Sequence, residues 1–117
     1  MKTKLTVMSG AAAAALWLAA AAHGAGMVTA ENGMTLYTFD KDKDGASACY
    51  DDCAVKWPPY MAKADAKMTE GWTMVKRTDG TMQWAYDGKP VYMFQGDKAK
   101  GDMAGEGMGG VWHIISE

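Results

Sequence analysis

The sequence predicts an all-β fold, a small sandwich or barrel of hairpins built from two related halves. Three observations carry that prediction. The dipeptides Asn32-Gly33, Asp79-Gly80 and Asp87-Gly88 punctuate the chain, and such pairs supply the positive φ angles that tight hairpins need. The runs between them are short and rich in β-branched and aromatic residues, which suits strands better than helices. Finally, the chain matches itself without a gap when displaced by 55 positions.

Taken from the N-terminus, Lys2 and Lys4 precede an Ala-rich apolar stretch that ends in small residues at Ala22, Gly24 and Gly26, the pattern of a secretory signal peptide over residues 1–24. Positive charge stands only before this stretch, which argues against a membrane span retained in the mature chain. Residues 25–117 are then expected to form one exported β domain, periplasmic or secreted, with room for a single core. Strands are expected in "GMVTAE" from Gly26, "MTLYTF" from Met34, "WTMVKR" from Trp72, "TMQWAY" from Thr81, "PVYMF" from Pro90 and "VWHII" from Val111. Tyr37 and Phe39 point to one face of their strand and Leu36 to the other, so that strand should have apolar cover on both sides. Only Met61 to Glu70, "MAKADAKMTE", has helical composition, and a loop suits it equally. The displacement aligns Gly33 with Gly88, Tyr37 with Tyr92, Phe39 with Phe94, Asp42 with Asp97 and Trp57 with Trp112. The repeat units are therefore read as about 26–57 and 81–112, joined by residues 58–80.

Charge narrows the partners. The chain carries 12 basic and 14 acidic residues, and removal of Lys2 and Lys4 with the leader leaves 10 against 14, a net charge of −4. The remaining lysines and arginine are scattered among acids and form no stripe that would neutralise phosphates, so nucleic acid is not an expected partner. The expected partner is an envelope protein or a small ligand.

The segments "YTFDKD" and "YMFQGD" both fit Tyr-x-aromatic-x-x-Asp. Together with "CYDDCAVKWPP", "VKRTDGTMQWAYDGKPVY" and "GMGGVWHI" they resemble the bacterial secreted repeat proteins, often predicted lipoproteins, that carry this motif. The resemblance spans nearly all of the mature chain and implies no established activity. The chain departs from the lipoprotein pattern in having no cysteine at the cleavage point, since Cys49 and Cys53 lie far downstream.

Within the motif, Tyr37, Phe39, Asp42 and their counterparts Tyr92, Phe94 and Asp97 are read as a structural device. Each Asp ends its strand by accepting backbone N–H bonds, and each aromatic pair packs near its own Trp, Trp57 or Trp112. A competing reading takes Asp40, Asp42, Asp44 and Asp51 as a calcium loop, because they fall at positions 1, 3, 5 and 12 of a D-x-D-x-D-G pattern. Against calcium, a strand precedes Asp40, Asp stands where a longer Glu is usual, and the second copy keeps only Asp97. Cys49 and Cys53 should form a disulfide in an oxidising compartment; the spacing is not C-x-x-C, which disfavours thioredoxin-like exchange.

Nine methionines follow the leader, and Met103, Met108 and His113 lie five residues apart on a Gly-rich segment, a candidate thioether and imidazole set for copper. Methionines equally fill irregular cores. The glycines at 101, 105, 107, 109 and 110 lack the Lys-Ser/Thr pair and following helix of a phosphate cradle. His113, the only mature histidine, has no evident nucleophile and carboxylate arranged around it. Two functions from different classes follow: a non-enzymatic exported binding or cell-envelope module, which is preferred, and a periplasmic copper-binding or redox protein using Met103, Met108 and His113, with the cysteines assisting. No cofactor is firmly implied; copper and then calcium are the candidates. Millimolar calcium is expected to leave the melting temperature almost unchanged, and a rise of many degrees that Asp40→Asn with Asp44→Asn abolishes would overturn the structural reading of the acids.

Overall fold

The dipeptide turns form as their chemistry requires. In the computed structural model, which describes residues 26–116, Asp87 and Gly88 both have positive φ, 53° and 82°, and join two strands as a two-residue hairpin. At Asp79-Gly80 the loop is a residue longer: Arg77 N–H bonds Thr81 O at 2.8 Å, Gly80 takes φ 89°, and the Asp79 carboxylate accepts from the Thr81 N–H and hydroxyl. At Asn32-Gly33 the Asn32 side chain accepts the Met34 N–H. The leader, residues 1–24, lies outside the described residues.

These turns organise two antiparallel sheets. In one, β1 (Tyr37–Phe39) pairs with β6 (Trp112–Ile114), setting Tyr37 opposite Ile114, Thr38 opposite His113 and Phe39 opposite Trp112. In the other, β4 (Met82–Tyr86) lies between β2 (Met61–Ala62) and β3 (Trp72–Lys76), and β5 (Lys89–Pro90) also pairs with β4. The fold is all-β as expected, with two related halves, and neither sheet closes into a barrel.

Two local expectations change, and a third that stood open between helix and loop resolves. The first expected strand shrinks to a single bridge between Thr29 and Thr35, and the fifth keeps only Pro90 in a strand, with Tyr92 held by isolated bridges to Tyr37 and Pro59. Met61 to Glu70 forms no helix. Met61 and Ala62 take the edge of β4, and turns follow, because this exposed segment has no apolar stripe to bury and a helix this short is marginal without one. Among the described residues the α-helix is α1 (Asp52–Lys56), which buries no residue of its own. It is held at one end by the Cys49–Cys53 disulfide and at the other by the Trp57 N–H bond to Cys53 O at 2.8 Å.

Leu36 and Tyr37, adjacent and both fully buried, feed two different cores from opposite faces of one strand. Tyr37 joins Cys49, Trp57, Tyr92 and Trp112, flanked by Phe39 and Phe94. Leu36 joins Val28, Ala30 and Val91, flanked by Tyr60, Trp72, Trp84 and Tyr86. Val91 and Tyr92 split in the same way in the second copy. Arg77 ties the β3–β4 hairpin to the disulfide loop. Buried, it donates to Gln83 Oε1 at 2.7 Å, Cys49 O at 2.9 Å and Ser47 Oγ at 3.2 Å, and lies 4.2 Å over the Tyr50 ring. Because so many bonds hold this loop, replacing both cysteines by Ala should lower stability by about 2 kcal/mol in a urea titration without unfolding the domain. A chain unfolded at 25 °C after that change would show the bridge to be indispensable.

Candidate functional site

The two motif copies meet at a pseudo-two-fold axis. Tyr37 N–H bonds Tyr92 O at 2.8 Å and Tyr92 N–H bonds Tyr37 O at 3.0 Å, so equivalent residues pair with each other. Their side chains cross over. Tyr37 Oη donates to Asp97 Oδ2 at 2.7 Å, and Tyr92 Oη donates to Asp42 Oδ2 at 2.7 Å. Each Asp also ends its own turn: Asp42 Oδ1 accepts Ala48 N–H at 2.7 Å, and Asp97 Oδ1 accepts Ala104 N–H at 2.9 Å. The turns begin identically, with Asp42 N–H to Phe39 O and Asp97 N–H to Phe94 O, both at 3.0 Å.

Backbone partners are exchanged as well. Asp40 N–H bonds Val111 O at 2.8 Å, and the equivalent Gln95 N–H bonds Lys56 O at 2.9 Å. Tyr37 lies opposite Ile114 as Tyr92 lies opposite Pro59. The aromatics follow, and here the expected packing is corrected. Phe39 stacks on Trp112, 4.1 Å between ring centroids, and Phe94 packs on Trp57 at 4.3 Å, so each Phe meets the Trp of the other copy. Only the tyrosines meet their own Trp, edge-on at 5.2 Å for Tyr37 with Trp57 and for Tyr92 with Trp112. Trp57 and Trp112 stack on each other at 3.8 Å and 3°. The swap arises because each motif strand pairs with the segment after the other copy's Trp, which brings that Trp over its Phe.

A duplicated unit that folds against its own copy produces this reciprocity. The family model for a secreted repeat of unknown function matches residues 19–61 and again 73–116. The chain belongs to this secreted repeat family. Neither the curated proteins nor the solved structures contain a match to it.

In this secreted repeat protein the phenols acquire further partners that sequence reasoning missed. Ser47 bonds the Tyr92 hydroxyl, and Gly105 N–H donates to Tyr37 Oη at 3.2 Å. Position 105 must be small, since a Cβ there would lie 2.5 Å from Trp57 Cη2. Its signal was present but ambiguous, because Gly105 sits in a run that reads as a flexible loop. Burial, reinforced by the facing carboxylate of Asp97, pushes the Tyr37 phenol far above its ordinary range. Burial does the same to Tyr92, with Asp42 adding to it and Ser47 opposing. The Asp42 carboxyl is raised chiefly by burial, against the Ala48 N–H and Tyr92 hydroxyl that favour its charged form.

The metal candidates fare differently. Asp40, Asp42 and Asp44 line a groove of about 400 Å³ with Asp87 and Lys89, but Asp51, just before α1, does not line it. Asp42 is already engaged by Tyr92 and Ala48, and Asp40 by His113. Among the described residues no three His, Cys, Asp or Glu side chains gather as a metal group, so nothing supports calcium. Copper gains no support either. His113 Nε2 lies 2.8 Å from Asp40 Oδ2 and Nδ1 lies 4.0 Å from Glu106 Oε2, while Met103 and Met108 are 49% and 44% exposed.

A second face stands outside the crossed core. Opposite residues of β3 and β4 share a side, so Trp72 stands beside Tyr86 and Met74 beside Trp84. Trp72 meets Tyr86 at 5.0 Å and Trp84 at 5.8 Å, and Tyr60 meets Trp72 at 6.3 Å. All four rings pack on the Leu36 core yet remain half-buried. Tyr60, Trp72 and Trp84 wall a depression of about 160 Å³ with Lys67 and Thr69. A neighbouring one of about 310 Å³ shares Tyr60 and Trp84 and adds Glu31, Met61 and Lys63. In the sequence Trp72, Trp84 and Tyr86 stand only within expected strands, with no site role given to any of these rings. The period-two alternation in "WTMVK" and "MQWAY" was the available signal.

The crossed phenols make a pH prediction. A phenol that ionises later in the folded than in the unfolded chain stabilises the fold fully below the ordinary tyrosine value of 10.0, and that contribution is lost as pH rises above it. Above that value stability should fall by ~1.4 kcal/mol per pH unit for each such phenol. Tyr37→Phe with Tyr92→Phe should flatten the slope in urea titrations at alkaline pH. A slope unchanged by that double substitution would dissociate these phenols from alkaline unfolding.

Proposed function

We propose that this chain is an exported, non-enzymatic binding module, directed to the periplasm or the exterior by the leader over residues 1–24, and that its ligand rests on the aromatic face of Tyr60, Trp72, Trp84 and Tyr86. One observation carries the reading. These rings are half-buried at the surface of the sheet of β2 to β5, whereas the rings of the crossed core are spent on each other. Large rings kept partly exposed and steeply inclined, 80° between Trp72 and Trp84, present ring faces to a ligand at modest entropic cost.

Lys63 and Lys67 at the two depressions are the cationic neighbours of those rings. A ligand with C–H-rich faces and carboxylates, as in acidic cell-envelope glycans, matches both features. The sheet is well suited to display: β4 is held on both sides, and Gln83, fully buried beneath it, bonds Arg77 and Val91 O.

The reading is tested by co-sedimentation of the mature protein with purified murein sacculi, together with tryptophan fluorescence during titration with soluble acidic oligosaccharides. Binding that weakens at least tenfold in Lys63→Glu with Lys67→Glu is the expected result, because both lysines are exposed and the change spares the core. Absence of co-sedimentation at low salt, or equal binding by the charge-reversed variant, would refute it.

A further inference from the structure

The crossed core holds an arrangement that the binding reading does not use. Four rings form one continuous pile in the order Phe39, Trp112, Trp57, Phe94, with centroid steps of 4.1, 3.8 and 4.3 Å. The two indoles at its centre are parallel to within 3°. Each indole has a tyrosine edge-on at 5.2 Å, and each of those phenols already donates its proton to a carboxylate at 2.7 Å. Tyr37 and Tyr92 are fully buried, whereas Trp57 and Trp112 retain 4% and 5% exposure. All four of these side chains are buried, the indoles marginally less so, and the phenols lie behind them with their proton acceptors in place.

We propose that this core acts as a one-electron sink, in which the stacked pair Trp57 and Trp112 is the entry point and Tyr37 and Tyr92 are the terminal donors. The co-reactant is a strong one-electron oxidant, of the class of oxygen-centred radicals or photo-oxidised metal complexes. It removes one electron from the indole pair and is itself reduced by one electron. The radical cation is shared over two parallel rings, which stabilises it relative to a single indole. Tyr37 or Tyr92 then supplies an electron to the pair and restores it. In the same step the phenolic O–H bond breaks, and its proton passes to Asp97 from Tyr37 or to Asp42 from Tyr92. The products are a neutral phenoxyl radical and a protonated carboxyl, so charge is conserved inside the core. The two copies give two such donors. Because neither phenol reaches the surface, the resulting radicals are shielded from coupling with one another's kind in neighbouring molecules.

The carboxylates are the part that a merely packed core would not need for electron transfer. A buried phenol that loses an electron must lose its proton too, since the phenol radical cation is a strong acid in a low-dielectric site. A carboxylate at 2.7 Å removes that obstacle without diffusion.

The test oxidises the disulfide-intact mature protein with a photosensitising ruthenium polypyridyl complex and a sacrificial acceptor, read by transient absorption and by electron paramagnetic resonance of frozen samples. The expected sequence is an indole radical that decays into a phenoxyl radical, slowed by deuterium oxide. Tyr37→Phe with Tyr92→Phe, which keeps the rings and removes the hydroxyls, should leave the indole radical long-lived and cut the phenoxyl yield at least fivefold. Asp42→Asn with Asp97→Asn should slow the indole-to-phenol step at least tenfold while indole radical formation stays unchanged. Tyr50→Phe with Tyr60→Phe and Tyr86→Phe should leave the phenoxyl yield as it was. A full phenoxyl yield in the Tyr37 and Tyr92 variant, its loss in the Tyr50, Tyr60 and Tyr86 variant, or an indole-to-phenol step untouched by the Asn variant would each overturn the proposal. Should the Asn variant fail to fold, the solvent isotope effect and the tyrosine variants still decide it.

Discussion

Two hydrogen bonds, Tyr37 to Asp97 and Tyr92 to Asp42, organise the rest of this protein. A phenol taken fully out of water must find a partner, and a carboxylate that is partly desolvated needs donors on both oxygens. Each copy of the motif supplies one of each, yet neither phenol bonds the acid of its own copy. The Asp lies beyond the turn that it closes through Ala48 or Ala104, and from there its second oxygen faces the other strand. One carboxylate therefore ends a turn in its own copy and satisfies a phenol in the other. With four such groups linked across an axis, loss of one removes a hydrogen bond from a group in the other copy, which makes the network cooperative.

The aromatic pile is a consequence of that crossing. Once Tyr37 and Tyr92 pair through their backbones, each motif strand is followed by a strand end that meets the segment near the other copy's Trp. Trp57 and Trp112 then converge from opposite sides, and the two Phe rings cover the outer faces of the pair. The copies are equivalent at this centre and different at its edges. The first copy meets the phenol of the second, Tyr92, with Ser47, which Arg77 also bonds; the second meets Tyr37 with Gly105 N–H and has a single 3₁₀ turn at Met108–Gly110 where the first has α1. Duplication preserved the pairing residues and left the loops between them free to change.

Residues 58–80 hold a separate role. They join the two units that align at a displacement of 55 residues, contribute β2 and β3 around β4, and carry Tyr60 and Trp72 to the aromatic face. The crossed core fixes where this sheet stands, because Tyr60 N–H donates to Val91 O just before Tyr92's axis position and Met93 N–H donates to Pro58 O just after it. A rigid, self-satisfied centre thus supports a face whose rings are not fully used in folding, the division of labour expected where binding residues are carried on a stable scaffold.

Much of the fold was legible in the chain because its causes are local. Asp87-Gly88 makes its hairpin through the φ preferences of two residues, β3 and β4 form from period-two alternation, and the 55-residue displacement pairs Tyr37 with Tyr92 and Asp42 with Asp97 before any coordinates are known. Other features had no such cause. Helix α1 owes its existence to a cross-link and to the anchoring of Trp57, and the strand at Met61 to the open edge of β4, neither of which is visible in the composition of "DCAVK" or "MAKADAKMTE". The exchange of partners was equally hidden, for a definite reason. Tyr, Phe, Asp and Trp recur at the same spacing in both copies, so pairing within a copy and pairing between copies use the same residue types and the same pattern. The sequence by itself determined which groups must meet; which copy each would meet was decided only in three dimensions, where the backbone pairing of Tyr37 with Tyr92 sets Asp42 and Asp97 against the other copy's phenol and Trp57 and Trp112 against the other copy's Phe.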